Sequence, residues 1–490
     1  MSNLKSVLAF DFGASSGRAM LGIFDGEKIE LKEIHRFSND PVILGETMYW
    51  DTLRLFHEIK QGLLKAKHQG GFESVAIDTW GVDFGLLDME GKLIENPIHY
   101  RDSRTQGMIE EAFCIIPKDE FYKKTGIQFM ELNTVFQLLS LVKNRPHILE
   151  RANKLLLTPD LFNYFLTGVM KTEYSIATTT QLLDANSKTW SNSILQGLGI
   201  PEKIFTEIVP SGTVIGTLSE NICKELDLDP VNVVAVASHD TQSALVGVPT
   251  NEDDFVFLSS GTWSLFGTET NEPIINDMSE QYNFTNEGGF QYKTSFLKNI
   301  IGLWLIQESR RQWIREGETY DFSELEQMAL NTKPFKCFID PDANEFILAG
   351  NIPARIREYC KRTGQEIPNT KGEIVRCINE SLALKYRYTY EQLKESTGKD
   401  YKLIHMVGGG ILSGILCQMT ANSCGCSVVA GPVEATVLGN IAVQLIANGY
   451  IKDMKEARRI IGNSPDIKSY QAENIDEWNE AYKRYTEFLT

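Results

Sequence analysis

Residues 11–18 read Asp-Phe-Gly-Ala-Ser-Ser-Gly-Arg, which puts a carboxylate before a turn, two glycines and two hydroxyls inside it, and a guanidinium just after it. These are the parts of a phosphate cradle. Glycines let backbone N–H groups approach oxygens, hydroxyls donate further bonds, Arg offsets charge and Asp can hold hydrated magnesium. A plain glycine hairpin uses the same residues, so both readings stand on this segment. The stretch also fits G-x-S-x-G, the nucleophile elbow of a serine hydrolase, with Ser15 as nucleophile. An elbow needs a helix after its second glycine, whereas residues 18–24 read as a strand entering the Asp25-Gly26 turn. No GxxxxGK[ST] loop occurs, and the run at Gly408 misses G-x-G-x-x-G because Ser413 fills the last place.

Three further groups carry possible chemistry. Ser259-Ser260-Gly261-Thr262 offers a second phosphate loop, and Gly408-Gly409-Gly410 after an apolar run could lie against a flat ligand or simply cap a helix. Gly431-Pro432 and Gly439 fit the same wall. His239-Asp240-Thr241 ends an almost unbroken apolar run, where open α/β sheets bind ligands. Asp240 is the leading general-base candidate, against the alternatives of a helix N-cap Asp and a core His. Asp78, Trp80, Gly81 and Asp83 form another polar cluster, with Trp80 better read as core. Residues 296–313 show helical apolar spacing with Asn299 and Gln307 as exceptions. On one helix these lie about 80° apart around the axis and about 12 Å along it, so one helix could touch two ligand sites or present a solvated flank.

The elements that must position these residues form a mixed pattern. Residues 7–37 read as a three-strand antiparallel meander, 53–67 as a helix, 75–79 and the run to Leu87 as strands, and 231–237 as a strand covered on both faces. Pro249 and Glu252, Asp253 and Asp254 mark a boundary, after which strand, glycine turn, strand recurs at 255–266. An architectural repeat with two lobes and a central cleft is expected, divided as 1–247, 252–450 and a helical extension at 451–490.

The 490 residues are 42% hydrophobic and 23% charged, enough for sizeable cores. A net charge of -17 opposes nonspecific binding to nucleic acid or an anionic membrane, so an anionic ligand needs local donors. No apolar run is long enough to span a bilayer, and residues 7–10, cut short by Asp11, are too brief for a signal-peptide core. Eight sparse cysteines without a CxxC pair suggest a reduced, cytoplasmic protein with buried thiols, and a Cys360 to Cys377 bridge lacks support.

Eight segments carry a family resemblance: FDFGASSGR from Phe10, IDTWGVDFGLLD from Ile77, YRDSRT from Tyr100, ASHDT from Ala237, LSSGTWSL from Leu258, LKNIIGLW from Leu297, and the late VGGG and AGPVEATVLGN. On these the chain resembles the FGGY carbohydrate kinases of the actin-like ATPase superfamily, over nearly its whole length, and within them the branch acting on L-rhamnulose. The resemblance implies an α/β fold of two ribonuclease H-like domains, mixed sheets flanked by helices, closing over a cleft. It implies transfer of the γ-phosphoryl of MgATP to O1 of L-rhamnulose by a monomer or weak homo-oligomer. ATP contacts would fall to Ala14, Ser15, Ser16, Gly17, Arg18, Thr262, Gln307 and Gly409. Gly81, His239, Asp240, Thr241 and Asn299 would contact sugar, Asp240 would accept the proton, and Asp11 would hold magnesium through water. L-Fuculose, xylulose and a non-kinase actin-like ATPase are the alternatives.

Overall fold

The structure, a computed structural model, describes residues 4–463 and 467–489. Residues 464–466, within the expected extension, lie outside the described residues. Among the described residues two compact units form: 4–251, 269–296 and 435–463 make the first, and 252–268, 297–434 and 467–489 the second. The first passage between them falls at Asn251 and Glu252, but the chain returns twice to the first unit.

The first unit is built on strands β1 (Lys5–Phe12), β2 (Ser16–Phe24), β3 (Ile29–Ser38), β4 (Ser74–Thr79), β5 (Thr213–Thr217) and β6 (Asn232–Ala235), in the order β5-β6-β4-β1-β2-β3. β1, β2 and β3 form the antiparallel meander, while β1 and β6 flank β4 in parallel. Alternate residues of β1 face two different layers. Leu8, Phe10 and Phe12 pack with Leu55, Ile59 and Leu63 of the Thr52–His68 helix. Val7 and Ala9 pack with Val437, Ile441 and Leu445 of the Ala435–Ala447 helix. That late helix crosses the Asp240–Val246 helix closely: a Cβ on Gly439 would sit 1.8 Å from the Ser243 carbonyl oxygen. Only glycine allows this approach.

The second unit is built on a seven-stranded sheet with β7 (Val256–Ser260), β8 (Trp263–Thr270), β9 (Thr294–Ile301), β10 (Leu403–Val407), β11 (Ser427–Ala430) and β12 (Lys468–Tyr470) in the order β9-β8-β7-β10-β11-β12, and the short Thr285–Gly288 strand paired beyond β9 at the edge. β7 runs antiparallel to β8 and parallel to β10, so this sheet opens with the same strand, glycine turn, strand arrangement as the first. The last residues divide between the units. The Met454–Ile461 helix packs in the first, and the Ile475–Thr486 helix puts Trp478 and Tyr485 against Phe338 and Leu384 of the second.

One expected helix is corrected. Residues 296–313 split into strand β9 and a helix at Trp304–Arg315, so Asn299 and Gln307 share no helix and the 80° and 12 Å spacing does not apply. Gly302 causes the break. Its N–H donates to the Thr262 carbonyl at 3.1 Å, and a Cβ there would meet Ser264 Oγ at 2.4 Å. No helix among the described residues is long and apolar enough to cross a membrane. All eight cysteines are free, Cys360 and Cys377 included, although these two and Cys337 bring three buried sulfurs within 4.8 Å of one another.

Candidate active site

In the first unit, parallel register aligns the chemistry at the carboxyl ends of neighbouring strands, the usual ligand position in open α/β sheets. Asp11 of β1 stands opposite Asp78 of β4, and Thr79 bridges to His239 beyond β6. Asp240 is the first residue of the Asp240–Val246 helix, whose N-cap is His239 rather than Asp240. Its Oδ1 accepts from Thr241 N at 2.6 Å and Thr241 Oγ1 at 3.2 Å. Asp240 keeps 30% of its side-chain exposure, so an acceptor hydroxyl can reach it. Burial among protein groups raises its pKa to about 6, His239 opposes the rise and Asp11 adds to it.

The 13–17 turn is held by Gly13 N donating to Ser16 O at 2.9 Å, and β2 begins at Ser16. A strand where an elbow needs a helix removes the Ser15 hydrolase reading. Arg18, paired across the hairpin with Asp11, reaches Asp11 Oδ2 at 2.6 Å. Asp78 is buried, and burial, then Asp11 and Asp240, push its pKa well above the usual carboxylate range. Its Oδ2 accepts from Asn440 at 2.6 Å while Oδ1 has no hydrogen-bond partner. These acids are not close enough to form a direct three-carboxylate cage; among the described residues only the cysteine trio groups that tightly.

Gly81 packs against Thr179, which accepts from Val82 N at 3.1 Å, and Val82 is held at φ 69°. A β-branched residue in this region is strained, and such strain concentrates at functional sites. Asp83 beneath it accepts from the indoles of Trp50 at 2.6 Å and Trp80 at 2.9 Å, confirming Trp80 as core.

In the second unit, Thr262 Oγ1 donates to Gln307 Oε1 at 3.2 Å, uniting two of the expected nucleotide residues. Parallel pairing of β7 with β10 brings the 408–410 loop beside Ser260. Gly408 has φ 83°, and a Cβ on Gly410 would lie 2.0 Å from Ser260 Oγ, so both are glycine for reasons internal to the protein. Gly409 is different: a Cβ there would meet nothing within 4 Å. Asn299 sits on β9 in this unit, beside Lys298, whose pKa burial lowers to about 8.

Residue types and spacing did not disclose Glu173 and Glu287. Glu173, buried, accepts from Ser238 N at 3.1 Å and from Ser175 Oγ at 2.6 Å, and Ser175 Oγ accepts from His239 N at 3.3 Å. It therefore anchors the turn that delivers Asp240. Glu287 lies beside the His239 ring.

The N-terminal domain model of the FGGY family of carbohydrate kinases matches residues 6–247, and the C-terminal domain model of the same family matches 256–448. The chain belongs to this family. It is a carbohydrate kinase built from the two FGGY domains. A rhamnulokinase of Bacteroides thetaiotaomicron is 43% identical over 479 residues, 98% of each chain. A rhamnulokinase of Oceanobacillus iheyensis is 42% identical, covering 94% of this chain and 97% of that one. The crystal structure of a ligand-bound xylulose kinase from Lactobacillus acidophilus shares the fold with a TM-score of 0.81 at 17% identity, covering 99% and 97% of the two chains.

Proposed function

We propose that this FGGY kinase transfers the γ-phosphoryl group of MgATP to the 1-hydroxyl of L-rhamnulose, giving L-rhamnulose 1-phosphate and ADP. The names of its full-length relatives support the sugar. The observation that carries the chemistry is Asp240, a partly exposed carboxylate at the start of the helix that follows β6, next to a histidine and within the field of Asp11.

In this reading the turn residues Ala14, Ser15, Ser16 and Gly17, with Arg18, bind the phosphates, and Thr262, Gln307 and Gly409 bind the rest of the nucleotide. Gly81, His239, Thr241 and Asn299 orient the sugar. As the O1–phosphorus bond forms, the bond from phosphorus to the β,γ-bridging oxygen breaks, the O1 proton passes to Asp240, and the electron pair leaves with ADP. Magnesium, when bound, neutralises phosphate charge. The donor set fits a hydrated ion better than a stripped one: burial and neighbouring acids raise the pKa of Asp78 and Asp240, the acids form no direct cage, and Asp11 would hold the ion through water. Free thiols suit a reduced, cytoplasmic setting, and we assign a monomer or weak homo-oligomer.

A coupled ADP-release panel tests the substrate. Turnover with MgATP should be highest on L-rhamnulose and much lower on L-fuculose, D-xylulose and glycerol; equal rates on all four would overturn the assignment.

A further inference from the structure

We infer that Glu287 is a positioning residue for the phosphoryl transfer, holding His239 as an oriented cation beside Asp240. This rests on the reading of Asp240 as the base.

Glu287 is buried on the short strand Thr285–Gly288. Its Oε2 lies 3.2 Å from His239 Nδ1, close as an ion pair although not aligned as a hydrogen bond. The other ring nitrogen, Nε2, lies 3.5 Å from Asp240 Oδ1. A neutral imidazole carries one N–H and could offer it to only one of these carboxylates, whereas an imidazolium presents an N–H to each. The surroundings fix this arrangement. Gln242 Nε2 donates to the same Glu287 oxygen at 3.3 Å, and Ser295 Oγ donates to Gln242 Oε1 at 2.6 Å, which orients the amide with its donor side toward Glu287.

The electrostatics agree. Burial by itself lowers the His239 pKa, but Glu287, then Asp240 and Glu173, outweigh it and leave it raised. Around Asp240 the charged neighbours are His239, which favours the carboxylate, and Asp11, which opposes it; Asp78 also shares this field, with Arg18 countering there. Glu173 is occupied by backbone N–H and serine donors, leaving Glu287 as the acid beside the ring nitrogen. Removing the Glu287 charge releases the His239 proton. Asp240 then loses a cation at 3.5 Å, and that loss outweighs the loss of the more indirect anion. Its pKa should rise further, by about one unit.

Glu287→Gln keeps an acceptor for Gln242 and removes the charge. In kcat/KM for L-rhamnulose against pH, the ratio of wild type to variant should be about fivefold larger at pH 6 than at pH 8, as the acid limb moves up by about one unit. Glu287→Asp should bring the limb back down. By NMR, the His239 ring should be cationic at pH 7 in the wild type and neutral in Glu287→Gln. A pH-independent ratio, or a neutral His239 in the wild type at pH 7, would overturn the inference. Failure of the substrate assignment is a separate result, no turnover of L-rhamnulose by the wild type, and the NMR titration still decides the role of Glu287 in that case.

Discussion

Asn440 donates its side-chain amide to Oδ2 of Asp78 at 2.6 Å, joining residues 362 positions apart in the chain. Asp78 is buried and its other oxygen has no hydrogen-bond partner, so Asn440 is its principal support. The same Asn440 accepts from Gln444 at 2.8 Å, and Gln444 donates to the Leu8 carbonyl at 3.0 Å, continuing the polar seam into β1.

Asn440→Ala should therefore cost about 1–3 kcal/mol, the penalty for stranding a buried acceptor. Thermal melting should fall by several degrees. An unchanged melting curve would show that this bond contributes nothing net to the fold.

Asp240→Asn should lower kcat by about 10²–10⁴ with little change in the melting curve or in sugar and ATP affinity. The amide preserves shape but cannot take the proton from O1. Since His239, not Asp240, is the helix cap, loss of capping gives no competing explanation. Near-normal turnover in the folded variant would remove Asp240 from the mechanism.

With the Asp240 pKa raised to about 6, the carboxylate form needed for proton acceptance disappears as pH falls through that value. The expected result is a kcat/KM that drops about tenfold per pH unit below the limb. Stability moves the other way for this one group. An unfolded Asp ionises near 3.9, so between about pH 4 and 6 the folded chain holds the proton more tightly, and lowering the pH through that window favours folding. A pH–rate limb near the ordinary Asp value would contradict the buried setting.

Gly409 and Gly410 are adjacent and should respond oppositely. Gly409→Ala adds a methyl where the protein leaves room, so melting should hold while KM for ATP rises. Gly410→Ala drives a methyl to 2.0 Å from Ser260 Oγ, and the melting temperature should fall. If Gly409→Ala leaves the ATP constant unchanged, that open space is not a nucleotide surface.

Both glycine-turn hairpins and the strand leading to His239-Asp240 were legible because local signals decide them: alternating apolar residues, short Gly turns, and a β-branched run ending in polar groups. Asn299 was misplaced because residues 296–313 satisfy helical spacing locally, whereas the break at Gly302 depends on contact with Thr262 and Ser264, about 40 residues earlier. Glu173 and Glu287 left no mark in the sequence for the same reason, and Asn440, although it closes the AGPVEATVLGN segment, carried no assigned role there. Their partners, Ser238, His239 and Asp78, are distant along the chain, and no period or motif encodes such a pairing.

The late Ala435–Ala447 helix also sets an order of events during biosynthesis. When the ribosome has released the first 251 residues, one face of β1 still lacks the layer that will cover Val7 and Ala9. At about 5–20 residues per second, the helix follows roughly 10–40 s later. Until then Val7 and Ala9 lack their covering layer and Asp78 lacks the Asn440 amide, so the first unit can be completed only when synthesis is nearly finished.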